Sequence, residues 1–201
     1  LGKYKFLFDL DSTITKKEIL PEIAGQVQMS EQMKELTERA MRGEIPFLQS
    51  FSERVDLLKE IPISTVRGII SKIPLNEELV KFIKEHHEDC YVVTGNLDVW
   101  ICDLMESIGL KDHYYCSKAR TDESGDTLLC IEQIIDKGST VRSFPHPFVA
   151  VGDGNNDAEM IGLADVGIGF GGVRPIATAL LNNATHAVYT EEKLCQLLRQ
   201  L

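Results

Sequence analysis

Asp9-Leu10-Asp11-Ser12-Thr13 sets two carboxylates two residues apart at the end of the apolar run Tyr4-Lys5-Phe6-Leu7-Phe8. On a strand, alternate positions share a face, and the turn that follows can swing the second aspartate toward the first. Carboxylates that close repel unless a cation lies between them, and Mg²⁺ favours such hard oxygen ligands. The same pair also occurs in solvated acidic turns. Gly152-Asp153-Gly154-Asn155-Asn156-Asp157 supplies two more carboxylates, with glycines that let backbone approach an anion or a metal closely. Asp153, Asn155 and Asp157 also fit the first, third and fifth positions of a calcium loop. Ala158 then stands where that loop needs glycine and Ala164 where it needs a bidentate glutamate, so that alternative fails. Thr94-Gly95-Asn96 offers a hydroxyl and backbone N–H groups suited to phosphate oxygens or to a helix cap. Lys137, ahead of Gly138-Ser139-Thr140, can supply positive charge to a phosphoryl group or lie on the surface.

The elements that must position these residues follow from the pattern of apolar side chains. Tyr4–Phe8, Cys90–Val93 and Pro147–Val151 read as buried parallel strands, each ending at a polar cluster. Ligands in open α/β sheets bind outside the carboxyl ends of the strands, so the three clusters are expected to converge. From Ile14 to Ile73 the pattern is helical, with helices over 30–41, 47–58 and 63–73, the last capped by Ser64. Further helices are expected at 76–87, capped by Asn76, at 97–108, closed by Gly109, and from Asn156 or Asp157 to Leu163. Residues 113–131 read as a hairpin around Ser124-Gly125, and Val166–Ile168 and Ala187–Tyr189 as short strands. Strands alternating with helices predict an α/β fold, a Rossmann-like parallel sheet core with a helical cap inserted after the first strand. Residues 1–13 and 75–201 form the core in this reading, and 14–74 the cap.

Composition narrows the function. Of 201 residues, 21 are Lys or Arg and 31 Asp or Glu, a net charge of −10, which lacks the basic footprint of a nucleic-acid or anionic-membrane binder. No apolar run approaches the roughly 18 residues a membrane span needs, and no leader-like segment opens the chain. Five scattered cysteines without a CxxC pair read as reduced thiols, so the expected compartment is the cytoplasm. The five histidines have no ligand spacing. Gly167-Ile168-Gly169-Phe170-Gly171-Gly172 has the spacing of a dinucleotide fingerprint. However, its first glycines fall within an expected strand and too little chain follows for the required βαβ units.

The three strand ends and the lysine, in this order, resemble the haloacid dehalogenase (HAD) superfamily of phosphohydrolases. Asp9-x-Asp11-Ser12-Thr13 with Glu18, and Arg54 in Ser52-Glu53-Arg54-Val55, are similar to its phosphoserine-phosphatase-like branch. The resemblance runs from Tyr4 to about Leu198. It implies a Mg²⁺-dependent phosphatase acting on a small-molecule phosphomonoester, O-phosphoserine in serine biosynthesis, through a phosphorylated Asp9. Asp11 would be the general acid/base. The metal would be held by Asp9, the Asp11 backbone carbonyl and Asp153, with Asp157 behind them. Thr94, Gly95 and Lys137 would hold the phosphoryl oxygens, and Asn156 would hold Lys137 or the substrate. Glu18 would meet a substrate ammonium and Arg54 its carboxylate, with Met41 and Phe47 lining the cap side. Glu18 at a helix start and Arg54 on a solvated helix face are the plainer readings of those two residues. Thr94-Gly95-Asn96-Leu97 departs from the Ser-Gly-Gly-Phe usual in that branch, which leaves the phosphatase chemistry and opens the substrate. A phosphatase or phosphotransferase acting on another small phosphorylated acid, or a catalytically silent binding domain of the same fold, are the alternatives. Nothing in the residues sets an oligomeric state.

Overall fold

Phe6, Leu7 and Phe8 are wholly buried in β1 (Lys5–Phe8), the middle of a seven-stranded sheet with order β4-β3-β2-β1-β5-β6-β7. The structure is a computed structural model that describes residues 3–42 and 44–201, the side chains of Ser30 and Met41 excepted. After β1 come four helices, α1 (Ile19–Gln26), α2 (Ser30–Met41), α3 (Phe47–Leu58) and α4 (Ile63–Ile70), before α5 (Glu77–Glu85) returns the chain to the sheet. The rest alternates: β2 (Cys90–Leu97), α6 (Asp98–Ser107), β3 (Tyr114–Thr121), β4 (Leu128–Gln133), α7 (Lys137–Val141), β5 (Phe148–Gly152), α8 (Ala158–Leu163), β6 (Val166–Phe170), α9 (Thr178–Leu181), β7 (His186–Val188) and α10 (Glu191–Leu198). All neighbours pair in parallel except β3 and β4.

Strand alternation divides the core. Phe6 and Phe8, with Val149 and Val151, pack toward α5, α6 and α10 in one apolar cluster. Leu7 and Ala150 point the other way, to Val141 of α7, Met160 of α8 and Leu180 of α9. Ile19, Met33, Phe51, Val55 and Ile63 from the four inserted helices belong to the first cluster, so their core is continuous with that face of the sheet. The two chain segments leading into and out of these helices lie side by side. Thr15 bridges Leu75, Lys16 N–H donates to the Pro74 carbonyl at 2.8 Å, and Asn76 N–H to that of Ile14 at 2.9 Å.

Several elements differ locally from the sequence reading. β2 runs through Thr94-Gly95-Asn96 to Leu97, where a strand ending at Val93 was expected, and its register with β3 shifts between Val93 and Leu97. α4 stops at Ile70, and Ser64 lies inside its first turn. There the Ser64 N–H and hydroxyl donate to the Asp126 carboxylate at 2.7 and 3.1 Å, so the hairpin turn supplies the cap. Asn76 is the residue before α5, yet its amide reaches across to the Thr13 carbonyl at 2.7 Å instead of capping the helix. α7 was not expected; the Asp136 carboxylate starts it by accepting from Ser139 N–H at 2.6 Å. Gly167 and Gly169 are interior residues of β6 and sit in no turn, which removes the dinucleotide alternative.

Candidate active site

Asp9 follows β1 directly and Asp153 follows its neighbour β5, while Thr94 lies inside β2 on the other side of β1. The turn after Asp9 places Ser12, buried and not a glycine, at φ 57°, a left-handed conformation few such residues adopt. Asp11 is thereby held at both carboxylate oxygens. Ile19 N–H, at the first residue of α1, donates to Oδ1 at 2.7 Å, and Asn96 Nδ2 donates to Oδ2 at 2.5 Å. Burial raises the Asp11 pKa, and these two hydrogen bonds work against the rise.

Beneath Asp9 lies a buried knot of charge. The Lys137 ammonium, 3% exposed, contacts both Asp9 and Asp157, the latter at 2.6 Å. Burial disfavours the ammonium, but Asp157 and Asp9 outweigh it and hold the lysine pKa above its ordinary value. With one ammonium between two carboxylates, Asp9 is undercompensated: burial first, then repulsion from Asp157, raise its pKa well above the usual range despite Lys137. Asp157 folds back so that Asp153 N–H and Gly154 N–H donate to its Oδ2 at 3.1 and 2.9 Å. This needs Gly152, since a Cβ there would lie 2.7 Å from the Asp157 carboxylate.

Asp9, Asp153 and Asp157 offer oxygens that all lie within 4.8 Å of one another. Among the described residues Asp153 Oδ1 is buried without a hydrogen-bond partner. Burial pushes the Asp153 carboxyl up to about 7, with Arg174 opposing and Asp157 adding to the shift. An unpaired buried carboxylate oxygen is costly, and a cation is the group that would satisfy it. The balance of charge agrees. The carboxyl groups of Asp9, Asp11, Glu18, Asp153 and Asp157 outnumber the cations of Lys137, Arg54 and Arg174, a balance that a divalent ion would redress. The Asp11 carboxylate, turned to Ile19 and Asn96, is not in this cluster, so only its backbone carbonyl remains available as a ligand.

Above the charges is a cavity of about 340 Å³ lined by Asp9, Asp11, Glu18, Arg54, Gly95 and Asn156, with apolar walls from Leu20, Ile45, Phe47 and Phe51. Phe47 and Phe51 stack with centroids 5.9 Å apart, and a Cβ on Gly95 would lie 2.9 Å from the Phe47 ring, so the helical roof rests directly on β2. Arg54 is 8% exposed, which excludes a solvated helix face. Its Nε donates to the Ser50 carbonyl of its own helix at 3.3 Å. Burial draws its pKa below the ordinary arginine value, while Glu18 and Asp11 oppose the shift.

Ten expected site residues thus fall into two layers. Asp9, Asp11, Glu18, Arg54, Gly95 and Asn156 face the cavity; Lys137, Thr94, Asp153 and Asp157 are buried behind it. Lys137 takes Asp9 and Asp157 as its partners, which leaves Asn156 to the cavity side. Phe47 lines the cavity as expected, whereas the Met41 side chain lies outside the described residues. Glu18 precedes α1 and is paired with Arg174, whose guanidinium spans Glu18 and Asp153. Arg174 is the residue the sequence reading missed. Its glycine-rich neighbourhood was weighed as a nucleotide loop, and nothing local points from it toward Asp153.

A family model described as haloacid dehalogenase-like hydrolase matches residues 6–165. The phosphoserine phosphatase of Methanocaldococcus jannaschii is 34% identical over 181 residues, covering 84% of this chain and 85% of that protein. That of Archaeoglobus fulgidus is 36% identical over 84% of this chain, which spans only 52% of that relative. Among solved structures, a phospho-aspartyl intermediate analogue of phosphoserine phosphatase superposes with a TM-score of 0.79 at 29% identity, covering 98% of this chain and 99% of the other. A substrate-bound phosphoserine phosphatase complex gives the same score and identity with both chains covered completely. The nine-tenths-buried aspartates at the strand ends therefore have a family to explain them, and the chain belongs to the haloacid dehalogenase-like hydrolases, on the phosphatase side from which these relatives come.

Proposed function

We propose that this chain is a Mg²⁺-dependent phosphomonoesterase that hydrolyses O-phosphoserine to serine and phosphate through a phosphorylated Asp9, with residues 14–74 acting as a cap over residues 1–13 and 75–201. The observation that carries this reading is the Asp9 carboxylate against Lys137 at the cavity floor, beside the unpartnered Asp153 oxygen. An Asp9 oxygen attacks phosphorus and the bond to the ester oxygen breaks, splitting a very slow hydrolysis into two easier steps. Asp11 gives its proton to the departing alkoxide, then takes one from the water that attacks the phospho-aspartate and frees phosphate. Lys137, Thr94 and the Gly95 N–H hold the non-bridging oxygens and favour the charge that develops on them. Asp9, Asp153 and the Asp11 carbonyl would hold Mg²⁺, which would offset the repulsion between anionic Asp9 and an anionic phosphoryl group. Asp157 keeps Lys137 and the backbone of this loop in place.

The substrate assignment rests on the cavity's charged wall. Arg54 offers a planar fork for a carboxylate, and Glu18, although paired with Arg174, lines the same cavity and can meet an ammonium there. Arg54→Lys, which keeps the charge and loses the fork, is expected to raise KM for O-phosphoserine by about 10- to 100-fold with little change in kcat. An unchanged KM would remove Arg54 from the carboxylate site.

The deciding measurement is phosphate release from a panel of small phosphomonoesters, O-phosphoserine included, with Mg²⁺ and after chelation. Release from O-phosphoserine that vanishes on chelation and returns with Mg²⁺ is the expected result. Release from other esters alone would keep the mechanism and displace the substrate. Transfer of the phosphoryl group to an added alcohol in preference to water would make the chain a phosphotransferase. No Mg²⁺-dependent release from any ester would overturn the reading.

A further inference from the structure

Asn96 has contacts that the hydrolytic scheme leaves unused. It lies on the cavity wall but is only 3% exposed. Its Nδ2 donates to Asp11 Oδ2 at 2.5 Å and to Thr94 Oγ1 at 3.1 Å, and its backbone N–H donates to the same Oγ1 at 3.2 Å. Its Oδ1 is buried without a partner among the described residues. An unpaired buried carbonyl oxygen is destabilising, so this amide is held at a cost to the fold.

We propose that Asn96 is a positioning residue for proton transfer at Asp11. This rests on the phosphatase reading above. Asp11 Oδ1 accepts from Ile19 N–H and Oδ2 from Asn96 Nδ2, and each oxygen keeps a further lone pair for the travelling proton. Asn96 thus fixes one of the two ends of the proton carrier. The same amide holds the hydroxyl of Thr94, assigned to the phosphoryl oxygens, so one side chain on β2 sets where the acid stands relative to the group leaving phosphorus. Asp11 lies 85 residues earlier in the chain, on a turn with a left-handed residue next to it, and without Asn96 it is tied on one side only. Small displacements of a proton donor cost rate steeply, because transfer needs hydrogen-bond distance at the moment the ester bond breaks.

The leaving group makes the role measurable. An alkoxide needs a proton in order to depart, whereas p-nitrophenoxide leaves without one. For Asn96→Ala, kcat/KM is expected to fall by about 10- to 100-fold on the alkyl ester that the wild-type chain turns over fastest, and by less than about threefold on p-nitrophenyl phosphate. The ratio of the two values is independent of the fraction of folded protein. Asn96→Ser, whose hydroxyl is too short to reach Asp11, serves as the second variant and is expected to shift the ratio in the same direction. Equal losses on the two esters, or no loss on either, would overturn the positioning role while leaving the phosphatase reading intact. A wild-type chain that hydrolyses neither ester would overturn the phosphatase reading, and this inference with it.

Discussion

Asp9→Asn is expected to abolish phosphate release, by at least about 10⁴-fold, while leaving the fold as stable as the wild type or more so. The two halves of this result have one cause. Asp9 sits at 5% exposure in a cluster where burial and Asp157 both disfavour its ionised form. A neutral isostere removes that penalty and can still accept from Lys137. The amide oxygen, however, is a poor nucleophile toward phosphorus, and the step that divides hydrolysis in two is lost. Phosphate release and thermal unfolding measured on the same preparation check both halves. Activity that survives the substitution would remove the nucleophile and the proposed mechanism. A large fall in melting temperature would show that the repulsion around Asp9 has been misjudged.

Lys137→Met should do the opposite to stability. Methionine nearly conserves volume, so the change isolates the charge. Removing the ammonium leaves Asp9 and Asp157 buried without their shared partner, a loss of about 3–5 kcal/mol for breaking one side of a buried ion pair. For a chain of this size that corresponds to a melting temperature lower by roughly 10 °C. Phosphate release should fall by about 10²- to 10³-fold, the size expected when one preorganised charge on a developing anion is withdrawn. A melting temperature within a few degrees of wild type would mean that Lys137 does not carry the balance of the cluster.

The contrast between these substitutions shows where the sequence was informative. Asp9 and Asp153 stood out because each follows an apolar run, with Asp11 two residues beyond Asp9, and strand ends of an open sheet share an edge. The alternation of strands and helices announced the sheet, and the insertion followed from the helical period between residues 14 and 73. The burial of Lys137 was not readable. Its partners lie 128 residues before it and 20 after it, and α7, which presents it, is a five-residue helix without an apolar stripe. Arg174 was hidden for the same reason, with one partner 21 residues away and the other 156. Ser64 and Asn76 mark a different limit. Both residue types favour helix starts, but tertiary partners, Asp126 for one and the Thr13 carbonyl for the other, decided what their side chains do. Asn96 stood out in the sequence as a departure from a familiar pattern, yet what it grips could be seen only with Asp11 in place.

Thr15 pairs with Leu75 where the chain enters and leaves the four helices, and Ile19 lies just beyond that bridge at the start of α1. Its N–H holds Asp11 Oδ1 from the helical side, while Asn96 on β2 holds Oδ2 from the sheet. Asp11 is therefore a stitch between the inserted helices and the sheet, and a substitution that displaces α1 is felt at this carboxylate as directly as one on β2.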